Sequence, residues 1–217
     1  MSSYNTISDN AEGFLKIKGS KFYAYAKNVS SESEALSYLD EIKSLHPKAR
    51  HHCYGWRIKL DHEILERHND DGEPSGTAGK PILGQIVKHD LVNVAVIVVR
   101  YFGGTLLGTS GLIQAYKNSC AEAIDAADIV IITVQSYFQI KIDFSLVHIL
   151  EEWAPKLNLT IDDRKANKTS AEYKLHCDAS GLEENLIQLK SKLLNLYLEE
   201  TPVDKLEFSN FTISIQN

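Results

Sequence analysis

The sequence predicts an α+β fold in two domains, which we place at residues 1–130 and 134–217. Three observations support this prediction. Short β-branched and aromatic runs alternate with amphipathic helical segments along the whole chain. The second half has the element order βαββαβ, which is typical of ferredoxin-like domains. A length of 217 residues suits one large domain or two small ones.

Local patterns define the elements of the first domain. Aromatic residues favour two strands, 14–18 and 21–29, joined by a turn at Gly19-Ser20. Ser31 and Glu34 have the spacing of a capping box, which predicts the start of a helix that ends before Pro47. The remaining predicted elements are strands at 52–60, 63–67 and 92–99, a turn at Asp61-His62, and helices at 77–88 and from 112 onward.

The second domain repeats a simpler alternation of apolar strands and amphipathic helices. Its predicted elements are a strand at 134–143, a helix at 146–153, strands at 158–163 and 171–177, a helix at 182–194 and a strand at 206–215. The boundary between the two domains is expected near residues 130–136.

The composition is that of an ordinary globular protein, with 43% hydrophobic and 24% charged residues. No apolar run approaches the roughly 20 residues that span a bilayer, so no membrane partner is expected. The start of the chain lacks the basic region and apolar core of a signal peptide. The three cysteines are scattered and form no C-x-x-C pair, which predicts neither disulfides nor a zinc cluster. We therefore expect a cytoplasmic protein without a cofactor.

The net charge of −6 is not that of a general nucleic-acid binder. Any contact with RNA must therefore come from a local basic patch. One candidate is the segment 43–59, which contains Lys43, His46, Lys48, Arg50, His51, His52, Arg57 and Lys59. The other candidate is the group Arg164, Lys165 and Lys168.

Glycine is concentrated in two runs that flank the apolar strand predicted at 92–99. Eight of the 12 glycines lie between Gly72 and Gly111, in the runs 70–79 and 100–111 and the segment that joins them. Glycine permits positive φ and close approach of the backbone. Two charged, glycine-rich loops beside one buried strand predict a working surface of the protein.

The second run, 100–111, has the spacing G-G-x-x-x-G-x-x-G between a strand and a helix. This spacing lacks the dinucleotide fingerprint G-x-G-x-x-G, and Gly79-Lys80 is followed by Pro81 rather than by Ser or Thr. Close packing, a contact with a phosphate or RNA backbone, and a nucleotide site all stay open. The candidate binding residues are Arg100, Tyr101, Phe102, Gly103, Gly104, Gly108 and Gly111.

The first run, 70–79, contains three carboxylates within four residues. Such a group can bind a hard cation or act as acid and base, whereas Gly-Glu-Pro-Ser-Gly is also typical of a structured turn or a recognition loop. The candidate residues, including the lysine that follows, are Asp70, Asp71, Gly72, Glu73, Pro74, Ser75, Gly76, Thr77, Gly79 and Lys80.

Arg100, His51 and His52 complete the set of candidates. Arg100 precedes two aromatic residues and can stack on a base, grip a phosphate or pair with a carboxylate of the first run, Asp70, Asp71 or Glu73. His51 and His52 are neighbours on a predicted strand, so they point to opposite faces and cannot readily share one metal. Hydrogen-bonded structural histidines, or one of them beside Asp70, Asp71 or His68, are the alternatives.

Several motifs together point to a family. They are the run 70–81, the segment Val98 to Gly104, Leu107-Gly108, Gly111-Leu112 and Ala115-Tyr116, together with His46-Pro47, Ala49 and His51 to Tyr54. These motifs resemble the YigZ/IMPACT family, and the two-domain layout is similar to that of its bacterial branch. Ser110 departs from the pattern, since relatives often have glycine there.

The resemblance implies an amino-terminal two-layer α/β sandwich of the ribosomal-protein and elongation-factor type. It implies a carboxy-terminal ferredoxin-like domain similar to one in elongation factor G. Eukaryotic members act in translational control and compete for the activator of a kinase that senses amino-acid starvation. RNA, the ribosome or a translation-control protein are the partners that this resemblance suggests.

Three hypotheses of function follow. The first is a non-enzymatic translation regulator that binds RNA, the ribosome or a translation factor through the glycine runs. The second is a metal-dependent hydrolase or small-molecule enzyme that uses Asp70, Asp71 and Glu73. The third is an adaptor that binds proteins through the exposed sheet face of the second domain.

Overall fold

The computed structural model describes residues 3–60 and 63–216, so the turn predicted at Asp61-His62 lies outside the described residues. The fold is α+β, as predicted. The chain divides into two compact units, one of residues 4–132 and another from residue 133 onward. Within the described residues, no helix is long and apolar enough to span a bilayer.

The described residues of the first unit form three helices and seven strands. Its elements are β1 (Ser3–Ile7), β2 (Ala11–Ile17), β3 (Ser20–Asn28), α1 (Glu32–Leu45), β4 (His51–Lys59), β5 (Ile64–Asn69), α2 (Gly79–Lys88), β6 (Val94–Tyr101), α3 (Gly108–Asp125) and β7 (Ile129–Thr133). Five strands form an antiparallel sheet in the order β2-β3-β6-β4-β5. The central strand β6 is buried along almost its whole length, as its β-branched sequence predicts.

Helices cover both faces of this sheet. Helices α2 and α3 pack over one face through residues such as Ile82 and Tyr116. Helix α1 packs over the other face, where Tyr38 and Leu39 contact a core that includes Trp56. Both faces of the sheet are covered because both are apolar.

Three local predictions can be compared with the structure. Ser31 Oγ accepts a hydrogen bond from Glu34 N at 3.2 Å, so the predicted capping residue is correct. The hairpin between β2 and β3 turns at Lys18 and Gly19, one residue earlier than predicted, and both residues have positive φ. Strands β1 and β7 were not predicted; they pair with each other from opposite ends of the unit.

The second unit has the predicted order βαββαβ. Its elements are β8 (Gln135–Asp143), α4 (Phe144–Lys156), β9 (Thr160–Ala166), β10 (Ser170–Asp178), α5 (Leu182–Leu194) and β11 (Phe211–Gln216). Its antiparallel sheet has the order β11-β8-β10-β9, and helices α4 and α5 pack on one face of it. The last strand begins five residues later than predicted, because residues 206–210 form a turn-containing approach to β11.

Candidate functional site

At one end of the five-stranded sheet, the first residues of β3 and β4 lie beside the last residues of β6. The register pairs His51 with Arg100 between β4 and β6, and Lys21 with Tyr101 between β3 and β6. The loop before β4 and the second glycine run, which follows β6, therefore lie side by side. This end of the sheet brings together residues that are about 50 positions apart in the sequence.

A cleft of about 520 Å³ opens at this end of the sheet, and we call it the basic cleft. Its walls contain Lys48, Ala49, Arg50, His51, Arg100, Tyr101, Phe102 and Leu106. Among these described residues there are three permanent cations and one histidine, and none is acidic. The charge of Arg100 is offset by an ion pair with Glu73, so Lys48 and Arg50 are what make the cleft a local positive site on a chain whose net charge is −6.

Arg100 is held at the inner side of the cleft by a buried ion pair. Its Nη1 donates to Glu73 Oε1 at 2.6 Å, and the two side chains are only 7% and 4% exposed. Tyr116 Oη donates to the same oxygen at 2.8 Å. Burial is the largest cause that raises the pKa of Tyr116, so this hydroxyl keeps its proton and stays a donor. Arg100 therefore pairs with Glu73, which is one of the three carboxylates predicted as its possible partners.

The guanidinium of Arg100 also lies between two aromatic rings. Its Cζ is 5.6 Å from the ring centroid of Phe22 and 5.6 Å from that of Phe102. Within the described part of the chain, its Nε is buried without a hydrogen-bond acceptor. The position of the guanidinium is therefore fixed by Glu73 and by the two rings before any ligand arrives.

Asp70 organises the first glycine run from within. Its Oδ2 accepts a hydrogen bond from Gly76 N at 2.8 Å, and its Oδ1 accepts from Ala78 N at 2.9 Å and from Gly79 N at 2.8 Å. Burial alone raises the pKa of Asp70, but these three backbone donors outweigh it and hold the pKa below its ordinary value. The start of α2 is thus satisfied by Asp70 and does not offer these amides to an external anion.

Asp71 fastens the same run to β4. Its Oδ2 accepts from His52 N at 2.6 Å, and its backbone carbonyl accepts from His51 Nδ1 at 2.8 Å. Asp70, Asp71 and Glu73 therefore serve three separate groups of donors. Among the residues that the structure describes, no group of three His, Cys, Asp or Glu side chains could hold a metal ion. The geometry does not support these carboxylates as a joint ligand set.

His51 and His52 act on opposite faces of β4. His51 lines the basic cleft, and its Nε2 lies 4.0 Å from Glu73 Oε1. His52 is buried, and its Nε2 donates to the carbonyl of His46 at 3.2 Å. Burial is the main cause that lowers the pKa of His52. Only His51 is placed to meet a ligand in the cleft.

The other residues predicted for the site are mostly structural or exposed. Thr77 Oγ1 donates to the carbonyl of Pro74 at 2.6 Å, which closes the turn that contains Ser75 and Gly76. Lys80 is exposed on α2, and Gly72 lies against the ring of His51. None of these residues lines the basic cleft.

The last part of the second glycine run is helical, whereas the sequence predicted a loop there. Gly108 and Gly111 belong to the first turn of α3, because the helix begins at Gly108 instead of Leu112. Gly104 stays in the exposed loop. Gly103 packs against the β2–β3 hairpin so closely that a Cβ there would lie 1.9 Å from the carbonyl carbon of Gly19. None of the glycines predicted for the site lines the basic cleft, and Gly103 serves close packing instead.

A second cavity of about 460 Å³ lies beside the basic cleft, and we call it the aromatic cavity. It is lined by Gly19, Lys21, Tyr23, His46, Tyr101 and Phe102, so it shares two aromatic residues with the basic cleft. Sequence reasoning used Tyr23 only as a strand signal and missed Lys21 as a site residue. The alternation of aromatic residues in β3, next to a glycine-containing turn, was the signal that could have indicated them.

Comparison with known proteins places this site within a matched region. A family described as the Impact N-terminal domain matches residues 18–124, which include both cavities. An "IMPACT family member" of Haemophilus influenzae is 34% identical over 147 residues, which cover 67% of this chain and 71% of that protein. The chain belongs to the IMPACT family.

A further relative and two solved structures cover different shares of the chain. "IMPACT family member YvyE" of Bacillus subtilis is 39% identical over 128 residues, 59% of this chain and 58% of the relative. A solved structure described as a hypothetical protein covers 90% of this chain, and 93% of its own chain, with a TM-score of 0.63 and 26% identity. Another, described as the two-domain translational regulator Yih1, is 31% identical over 57% of this chain and 47% of its own; its TM-score of 0.33 is too low to relate the folds.

Proposed function

We propose that this IMPACT family member is a non-enzymatic regulator of translation that binds RNA phosphates, free or in the ribosome, in the basic cleft. The observation that carries the proposal is the lining of the cleft, which contains the exposed cations Lys48 and Arg50 beside Arg100, whose own charge is paired with Glu73. Phosphate contacts by Lys and Arg dominate the affinity of proteins for nucleic acids. Such a role belongs to the cytoplasm.

The preorganised arginine supports binding rather than catalysis. Arg100 is fixed by Glu73 and by two aromatic rings, so little side-chain entropy is lost when it meets a phosphate. Lys48 and Arg50 are exposed on the loop before β4, where they can reach the backbone of a longer ligand. The translational part of the proposal is supported by family membership, because translational control is what the resemblance to this family implies.

The hydrolase hypothesis receives less support from the same geometry. Its three carboxylates accept hydrogen bonds from backbone amides, from Arg100 and from Tyr116. A metal ligand or a general base needs a free lone pair aimed at the substrate. Glu73 is buried, and both oxygens of Asp70 accept backbone hydrogen bonds, which favours a structural role for these carboxylates.

The proposal is tested with the full chain, a fluorescent 12-nucleotide single-stranded RNA and purified ribosomes. We compare the wild type with Lys48→Ala/Arg50→Ala, because both side chains line the cleft. The matched control is Lys165→Ala/Lys168→Ala, which removes two exposed lysines of the second unit. We expect the cleft variant to bind RNA at least about thirtyfold more weakly, since each of the two lost charge-assisted contacts is worth roughly 1 kcal/mol or more. The control should bind as the wild type does.

Two results would contradict the proposal. One is that the wild type neither binds RNA at low salt nor co-sediments with ribosomes. The other is that the cleft variant binds as tightly as the control, which would move the contact away from the basic cleft.

A further inference from the structure

The aromatic cavity is built as a rigid chamber of rings. The ring of His46 stacks on that of Tyr23, with centroids 5.4 Å apart and an interplanar angle of 28°. Tyr101 meets both rings edge-on, at 6.0 Å from Tyr23 and 5.8 Å from His46. The family match and the proposed phosphate contacts do not account for this arrangement.

Hydrogen bonds lock the central ring of the chamber. His46 Nε2 lies 2.6 Å from Tyr25 Oη, and His46 Nδ1 lies 3.0 Å from Tyr101 Oη. Burial is the main cause that lowers the pKa of His46, so the imidazole is neutral at pH 7. A neutral, fixed ring is a stacking surface rather than a charge. Lys21 supplies the one cation among the lining residues of this cavity.

Phe102 forms the wall between the two cavities. Its side chain is 56% exposed, although it is a large hydrophobic group. One side of the ring is near the guanidinium of Arg100, at 5.6 Å, and the ring borders the aromatic cavity as well. The ring of Phe102 is exposed, lies near a cation and borders the aromatic cavity. Such a ring is suited to stacking on a planar ligand.

We propose that the aromatic cavity takes an unpaired nucleobase, stacked on Phe102, of an RNA strand whose phosphates lie in the basic cleft. This inference rests on the proposed function and adds the substrate class, which is single-stranded RNA. A base in a duplex is already stacked and paired and cannot enter the cavity, whereas a single strand can splay its bases onto aromatic side chains. The charge complementarity of the adjoining basic cleft is what selects a nucleotide over an apolar ligand.

The test measures the affinity of the full chain for a 12-nucleotide RNA, once as a single strand and once as a duplex of the same sequence. The variants are Phe102→Ala and Phe102→Trp. Phe144→Ala is the matched control, because Phe144 is similarly exposed in the second unit. We expect the wild type to bind the single strand at least about fivefold more tightly than the duplex. The reason is that one base stacked on an aromatic ring contributes about 1 kcal/mol or more to the binding free energy. Phe102→Ala should reduce this ratio to about one, whereas Phe102→Trp and Phe144→Ala should preserve it.

The outcomes separate this inference from the proposed function. If the wild type binds both RNA forms equally, or if Phe102→Ala keeps the preference for the single strand, the base site is wrong and the phosphate site stands. If the wild type binds neither form, the proposed function fails and this inference fails with it.

Discussion

Arg100 and Glu73 form a buried ion pair in which Arg100 Nη1 lies 2.6 Å from Glu73 Oε1. Glu73 comes from the first glycine run, whereas Arg100 is the second-last residue of the central strand β6 and begins the second run. This contact ties the two runs together behind the basic cleft. It makes Glu73 a positioning residue, because it fixes the arginine that lines the cleft and does not line the cleft itself.

Breaking this ion pair should destabilise the protein strongly. Glu73→Gln leaves the guanidinium of Arg100 buried without a counter-charge, and such losses cost about 3–5 kcal/mol of the free energy of unfolding. Tyr116→Phe removes one hydrogen bond to the same carboxylate, and one accepted from Cys53 Sγ, and should cost less, about 1.5–3 kcal/mol. Urea unfolding followed by circular dichroism measures both variants. Equal losses for the two variants would show that the charge of Glu73 is not what Arg100 requires.

Asp70 should make the stability depend on pH at its acidic end. Its pKa is lower in the folded state, so the stability it contributes is complete above the unfolded pKa of about 3.9 and is lost as the pH falls through the folded pKa. We expect Asp70→Asn to be less stable than the wild type by about 1.5–3 kcal/mol at pH 6. Urea unfolding at several pH values should show this gap closing as the pH falls below about 4. A gap that stays constant with pH would contradict the role of the ionised carboxylate.

Two glycines should respond to alanine in opposite directions. A Cβ on Gly103 would lie 1.9 Å from the carbonyl carbon of Gly19 and 2.1 Å from Ser20 N, and these backbone atoms cannot move aside cheaply. Gly103→Ala should therefore cost about 1–3 kcal/mol. Gly84 lies inside α2, and its Cβ would meet nothing within 4 Å, so Gly84→Ala should stabilise by about 0.5–1 kcal/mol. Thermal unfolding of both variants checks the signs, and destabilisation by Gly84→Ala would contradict the packing described.

Features encoded by neighbouring residues were predictable from the sequence. The β-branched run of β6, the capping residue Ser31 and the order βαββαβ all depend on local patterns, and all three are present. Strand β1 was missed because it has no strong pattern and pairs with β7 across more than 120 residues. Strand β7 is a β-branched run, but it falls where the sequence suggested the boundary between the domains. The start of α3 was misplaced because glycines at its first turn suggested a loop.

The candidate site was predictable in its parts but not in its assembly. The sequence singled out Arg100, its aromatic neighbours and the basic segment that contains Arg50, and it offered Glu73 among three partners for Arg100. It could not show that the segment before β4 lies against the end of β6, since this depends on the register of the sheet. The aromatic cavity was missed for the same reason, because its rings come from three separate segments.

The salt dependence of RNA affinity tests the central claim most directly. For each variant, the logarithm of the binding constant for the single-stranded RNA is measured against the logarithm of the salt concentration. Each phosphate contact contributes about −0.7 to this slope for single strands. We predict that Lys48→Ala/Arg50→Ala makes the slope shallower by about 1.4, whereas Lys165→Ala/Lys168→Ala leaves the wild-type slope unchanged. An unchanged slope in the cleft variant would contradict the assignment of RNA phosphates to the basic cleft.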